Sequence, residues 1–309
     1  MAAPPRALAK GARLSLPTLV PATAEAIGGV PVLVTAAVLG AAVMHAAWNA
    51  LAKSLKDHLV GFAVLEATSG AVALGAALFV PGPGVAALPY LAASVAAHTA
   101  YQALLLNSYR VGEFNQVYPI ARGTAPLVVT LLAVPFAHEA VHGLQAAGVI
   151  AVAGGLVLLA DLRVWWATGR PPALALAFAT GLLIASYSLV DGLGVRRAHS
   201  AVGYASWLMA AEALPIPLYA VLRQPGRVRL MWPSTWRRAA LGGVLSLLAY
   251  SVVLWAQTRG ALGAVAALRE TGVVVGAGIG ALFFGERLGR RRVIAAAVVA
   301  TGVILLNSA

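Results

Sequence analysis

The sequence predicts an all-α integral membrane protein of ten transmembrane helices, arranged as two inverted five-helix repeats. Three observations carry that expectation. Of 309 residues, 61% are hydrophobic and only 10% are charged, with a mean hydropathy of +0.86; a soluble domain has about 25% charged residues, enough to cover a wetted surface. Apolar blocks of about 18–24 residues alternate with short charged or Pro/Gly-rich connectors, the length that crosses a hydrocarbon core of about 30 Å at 1.5 Å per residue. The two halves of the chain also align with one another. The blocks are too long, and alternate too little in polarity, for the strands of a membrane barrel.

In chain order, residues 1–29 carry Arg6, Lys10, Arg13, Pro17, Pro21 and Glu25 without a sustained apolar core. That pattern predicts a disordered tail rather than a signal peptide. The expected spans are 31–52, 60–80, 87–108, 114–136 and 142–160, then 173–193, 201–222, 238–257, 262–284 and 291–307. The connector from Asp161 to Pro172 divides a first repeat (30–161) from a second (162–309). Shifting the first half by 147 positions lays Arg122 on Arg269, Glu139 on Glu286 and Gly155 on Gly302. A shift of 142 lays Asn49 on Asp191 and Gly61 on Gly203. An odd number of spans per half inserts the second repeat upside down, the arrangement with which many secondary transporters build two faces around a midplane site.

The net charge of +12 sits mostly in interhelical connectors, where basic residues anchor helices, so no nucleic-acid partner is expected. Six Lys and Arg, namely Arg6, Lys10, Arg13, Arg196, Arg197 and Arg259, lie on the side of the termini, and 14 lie in the opposite connectors. The positive-inside rule then puts both termini outside the cytoplasm. There is no cysteine, which excludes disulfides and thiolate chemistry.

Three stretches carry a family likeness: MHAAWNALAK (44–53), YQALLLNSYRVGEFNQVYPIARGTAPL (101–127) and VAALRETGVVVGAGIGALFFGERLGRRR (265–292). Together they resemble the drug/metabolite transporter superfamily, EamA branch. The resemblance implies ten helices in two EamA repeats and a central pathway lined by both halves. It implies a multi-pass protein of the cell membrane that moves a small metabolite or drug, with export the expected direction, and cytoplasmic termini, against the charge count.

The pathway candidates are the polar residues at membrane depth. Arg122 lies inside the fourth span, where an arginine at the helix centre costs about 2.5–3.5 kcal/mol and so needs a polar cavity or a partner. Asn115, Tyr118 and Arg122 share a face, and Pro119 and Pro126 each remove a backbone hydrogen bond there, so this span is expected to kink. Arg269 and Glu270 occupy the matching place in the ninth span; neighbours differ by about 100° around a helix and need not pair. Two central arginines favour an anionic or zwitterionic substrate. Each is alternatively neutralised by an acid on another helix, with Glu66, Asp191, Glu212 and Glu270 available.

His45, Trp48 and Asn49, with Lys53, share a face of the first span, and Tyr187 and Asp191 hold the corresponding positions of the sixth. An acid beside a histidine is a possible site for a coupling proton. His98, Tyr101 and Gln102 align in the third span, and Trp207, Tyr250 and Trp255 are aromatic wall or interface-anchor candidates. Gly272, Gly276 and Gly280 form a small-residue run suited to helix packing. Glu139 and Glu286 precede the last helix of each half, where the helix dipole favours a carboxylate.

The competing reading is a membrane zinc protease, because His138-Glu139-x-x-His142 spells the HExxH pattern. Its glutamate is already matched by Glu286, and no third ligand is evident. No P-loop or GxSxG occurs, so no cofactor is expected, and a transporter would be driven by a gradient or work as a facilitator. A non-transporting sensor or assembly protein is the third reading. Expected partners are a small-molecule substrate and membrane lipid, in a monomer or homodimer.

Overall fold

The computed structural model describes residues 30–111, 114–159, 171–284 and 289–309, with side chains described throughout except at 53, 105–111, 114–118, 171–174, 280, 281, 283 and 284. The expected tail at 1–29, the connector near Asp161 and Glu286 lie outside the described residues. Among the described residues there is no strand. The helices are α1 (Val32–Lys53), α2 (His58–Ala77), α3 (Leu88–Val111), α4 (Phe114–Ala137), α5 (Gly143–Leu159) and α6 (Pro171–Arg197). They continue as α7 (Ala201–Glu212), α8 (Pro215–Arg223), α9 (Pro225–Gln257), α10 (Leu262–Glu270), α11 (Gly272–Phe284) and α12 (Arg290–Asn307). Seven spans, two of which run across helix breaks, are long and apolar enough to cross a membrane among the described residues. α5 is apolar but only 17 residues long.

Two expected spans are interrupted. The seventh breaks between α7 and α8 at Ala213–Leu214, because Pro215 and Pro217 follow and neither can donate to the preceding turn. The ninth breaks at Thr271, whose hydroxyl turns back to the carbonyl of Leu268 at 2.7 Å. The eighth is longer than expected: α9 runs 33 residues from Pro225. At 1.5 Å per residue that is about 50 Å, well beyond a hydrocarbon core. Its first turns take in the arginine- and tryptophan-rich stretch between the expected seventh and eighth spans. The fourth span is a single helical stretch through Pro119, Pro126 and Pro135.

Packing interleaves the halves. α1 packs on α9, α10 and α11, while α6 packs on α3 and α4, so each half's first helix lies against the third and fourth expected spans of the other. α5 and α12, the two terminal helices, pack side by side. Their contacts repeat under the shift of 147 positions. A methyl group on Gly148 would sit 3.0 Å from the carbonyl oxygen of Gly302, and one on Gly155 3.0 Å from that of Ala295. Residue 295 is the mate of 148, and 302 is the mate of 155. Small residues let the backbones meet.

Gly302→Ala is therefore expected to destabilise by about 1–3 kcal/mol, since the new methyl would lie 2.8 Å from both the Gly148 oxygen and the Val152 nitrogen. Gly276 has nothing within 4 Å, so Gly276→Ala is expected to be neutral or to gain up to about 1 kcal/mol of helix propensity. Paired thermal unfolding curves in detergent check the opposite signs. The expected packing role of the glycine run thus holds at Gly272, where a methyl would lie 2.8 Å from the Ala42 oxygen, and not at Gly276. Gly280 is outside the described side chains.

Large apolar side chains face outward, Leu33 at 72% and Leu131 at 71% exposure among them. The fully buried set instead includes Arg122, Glu270 and Gln257. An outer surface this apolar fits hydrocarbon, not water.

At the other end of α1 from the Thr35–Asn307 contact, Asp57 caps α2 by accepting from the amide of Val60 at 3.1 Å and pairs with Arg227 at the start of α9. Burial alone would push this carboxyl up, but the hydrogen bonds from Arg227 and from the amides of Val60 and Leu59 outweigh it and hold it below the usual carboxylate range. A lowered folded-state value means that Asp57 stabilises the fold above its unfolded value and loses that contribution as pH falls through the folded one. Asp57→Asn is expected to lower stability above the acid limb and leave it nearly unchanged below, so that a stability-versus-pH curve measured in detergent flattens.

Candidate functional site

Arg122 lies eight residues into α4, about 12 Å from its first residue, and is 2% exposed. Its Nη1 donates to Glu270 Oε1 at 3.0 Å and lies 2.8 Å from Oε2. Arg269, 3% exposed, donates to the same Glu270 Oε1 from Nε at 3.0 Å and from Nη2 at 2.8 Å. One fully buried carboxylate from the second half thus serves two guanidiniums, one from each half. The sequence reading allowed Arg269 and Glu270 to stay apart. They pair at the C-terminal end of α10, whose last residue is Glu270.

His45 of α1 completes this cluster. Its Nε2 meets Arg122 Nη2, and Trp48 Nε1 approaches its Nδ1 at 3.2 Å. A neutral imidazole accepts at one nitrogen only, so the ring can satisfy one of these donors and presents an N–H to the other. The Asn49 amide donates to the carbonyl of His45 at 2.8 Å, within its own helix. Asn115 and Tyr118 lie on α4, but their side chains are outside those described, as is that of Lys53.

A second buried cluster adjoins the first. His98 of α3 lies 3.2 Å from Asp191 Oδ2 through Nε2 and 3.1 Å from Glu212 Oε2 through Nδ1. Tyr204 donates to Asp191 Oδ1 at 3.2 Å, and Tyr250 donates to Oδ2. Gln102 donates to Glu66 Oε1 at 3.0 Å. Tyr187 joins the two clusters. It stacks on His98 with centroids 4.0 Å apart, and the Arg269 guanidinium lies 5.7 Å from its ring centroid. Tyr101 meets it edge-on at 5.6 Å.

The sequence candidates therefore fall into two adjoining groups. Trp207 is 44% exposed and outside both. Trp255 carries Arg259 at 4.6 Å, as an interface anchor does. Tyr204 was not singled out from the sequence; it lies 13 residues from Asp191, across the turn between α6 and α7, and no periodicity pointed to it. Glu66 and Glu212 were noted only as available acids, although intramembrane carboxylates are themselves the signal that marks them.

Glu139 departs from its expected role. His138 takes φ +54°, a left-handed conformation uncommon outside glycine, and the carboxylate that follows accepts from the amide of Leu262 at 2.9 Å and from Arg196 at 2.8 Å. It thus sits at the N-terminus of α10 rather than at that of its own next helix, α5. His138 through His142 form a non-helical connector, so the two histidines do not share a helical face as the zinc pattern requires.

The EamA-like transporter family model matches residues 171–308, which meets the likeness read from the sequence over the second half. No curated protein matches. Among solved structures, 27 chains match. One, described only as the crystal structure of a protein, superposes with a TM-score of 0.70 at 18% identity over 89% of this chain and 96% of its own. That likeness speaks to the fold alone. With its apolar spans and an EamA-like second half, the chain is a multi-pass membrane protein.

Proposed function

We propose that the protein is a secondary transporter of the cell membrane that moves a small polar or amphipathic metabolite bearing an anionic group. It works by alternating access between two five-helix halves of opposite orientation, ten spans in all, with export the direction implied by the family likeness. The reading is carried by Arg122 and Arg269, which come from opposite halves and share the single carboxylate of Glu270. Two buried guanidiniums meet at one carboxylate at bilayer depth, and a guanidinium fork is suited to the paired oxygens of an anionic ligand. An acceptor oxygen between Arg122 and His45 also relieves the ring that faces two donors. The reciprocal contacts of α5 and α12, and the exchange of first helices between halves, are what a pseudo-two-fold relation would produce.

The test is flux in proteoliposomes loaded with a labelled mixture of anionic, zwitterionic and cationic metabolites. Efflux of anionic or zwitterionic members without ATP is expected. Movement of cations alone, or of nothing, overturns the proposal.

A further inference from the structure

The arginine cluster uses neither His98 nor the three carboxylates around it, and those groups present a charge problem of their own. Glu66 is 7% exposed, Asp191 0%, Glu212 3% and His98 7%. Around them stand Gln102 on α3, Tyr187 on α6, Tyr204 on α7, Tyr250 on α9 and Arg269 on α10. The one guanidinium among these is already bound to Glu270. If every acid were ionised and His98 protonated, three negative charges would face one positive charge. Ions removed from water persist only when opposite charge and hydrogen bonds compensate them, and like charges at close range disfavour joint ionisation.

The carboxylates are not equally compensated. Asp191 has two phenol donors and the imidazole at 3.2 Å, enough to hold its negative charge. Glu212 faces the other imidazole nitrogen at 3.1 Å. Glu66 has the amide of Gln102 at 3.0 Å, and its helix, α2, packs on α7, which carries Glu212. We infer that Glu66, Glu212 and His98 form a proton-binding site, in which one proton resides on the Glu66–Glu212 pair and another on His98, while Asp191 stays ionised and holds the imidazole. Through Tyr187, which carries His98 on its face and Arg269 near the same ring, the proton site borders the anion site. The site itself follows from the buried charges; only the use of its proton in transport rests on the transporter reading.

Infrared difference spectroscopy of the purified protein in lipid tests the site without any cargo. Near neutral pH the parent is expected to show the carbonyl stretch of a protonated carboxyl, shifted in D2O and lost as the pH is raised. Glu66→Gln and Glu212→Gln are each expected to abolish or displace that band. Should Glu212→Gln fail to give a monodisperse protein, Glu66→Gln carries the same reading. A parent spectrum with no such band near neutral pH, or a band unchanged in the folded variants, overturns the proposal. A failure of flux in the vesicle assay with the band present would count against the transporter reading alone.

Discussion

Glu270→Ala is expected to lower the stability of the purified protein by about 3–5 kcal/mol, the cost of removing one partner from a buried ion pair. Its carboxylate accepts from Arg269 at 2.8 and 3.0 Å and from Arg122 at 3.0 Å, so its loss strands two buried guanidiniums together. Thermal unfolding in detergent reads the effect. The double variant Arg122→Ala/Glu270→Ala is expected to recover part of the loss, because one of the stranded charges is gone. Equal melting of the parent and Glu270→Ala would mean that the carboxylate is not what holds this centre together.

Arg122→Ala is expected to behave in the opposite way. Removing Arg122 leaves Glu270 its two hydrogen bonds from Arg269, so the buried carboxylate keeps a partner and the protein folds. One of the two guanidiniums that would bind an anion disappears with it. Truncating one partner of a buried charge pair costs about 2–5 kcal/mol, which corresponds to roughly a thirtyfold or greater loss of transport. Flux in proteoliposomes reads this, and Arg122→Lys is expected to recover only part, since a point charge does not reproduce the guanidinium fork. A folded Arg122→Ala that transports at the parent rate would remove the arginine from the pathway.

Much of this arrangement was legible in the sequence because the bilayer imposes long, apolar blocks and makes each ionised residue inside them conspicuous. The approximate boundaries of α4, α5 and α12, and the mate relation of Gly155 and Gly302, came from periodicity and shift alone. Side-chain partners across the fold were not legible. Arg122 meets Glu270 over a separation of 148 residues, and His98 meets Asp191 over 93; nothing local encodes either meeting. The pairing of Arg269 with Glu270 was obscured by treating the ninth span as one unbroken helix. Similarly, the first turns of α9 look polar enough for a connector, yet they form a helix whose exposed Leu230, Trp232 and Trp236 accompany arginines, a composition suited to the membrane interface.

The central claim is that the paired arginines lie on a route open in turn to both sides of the membrane. The chain has no cysteine of its own, so His45→Cys would place its only thiol beside Arg122. Labelling that thiol with a membrane-impermeant reagent, in vesicles of each orientation, tests the claim most directly. Modification from both sides is expected; a thiol reached from one side only, or from neither, would place the arginines off the route.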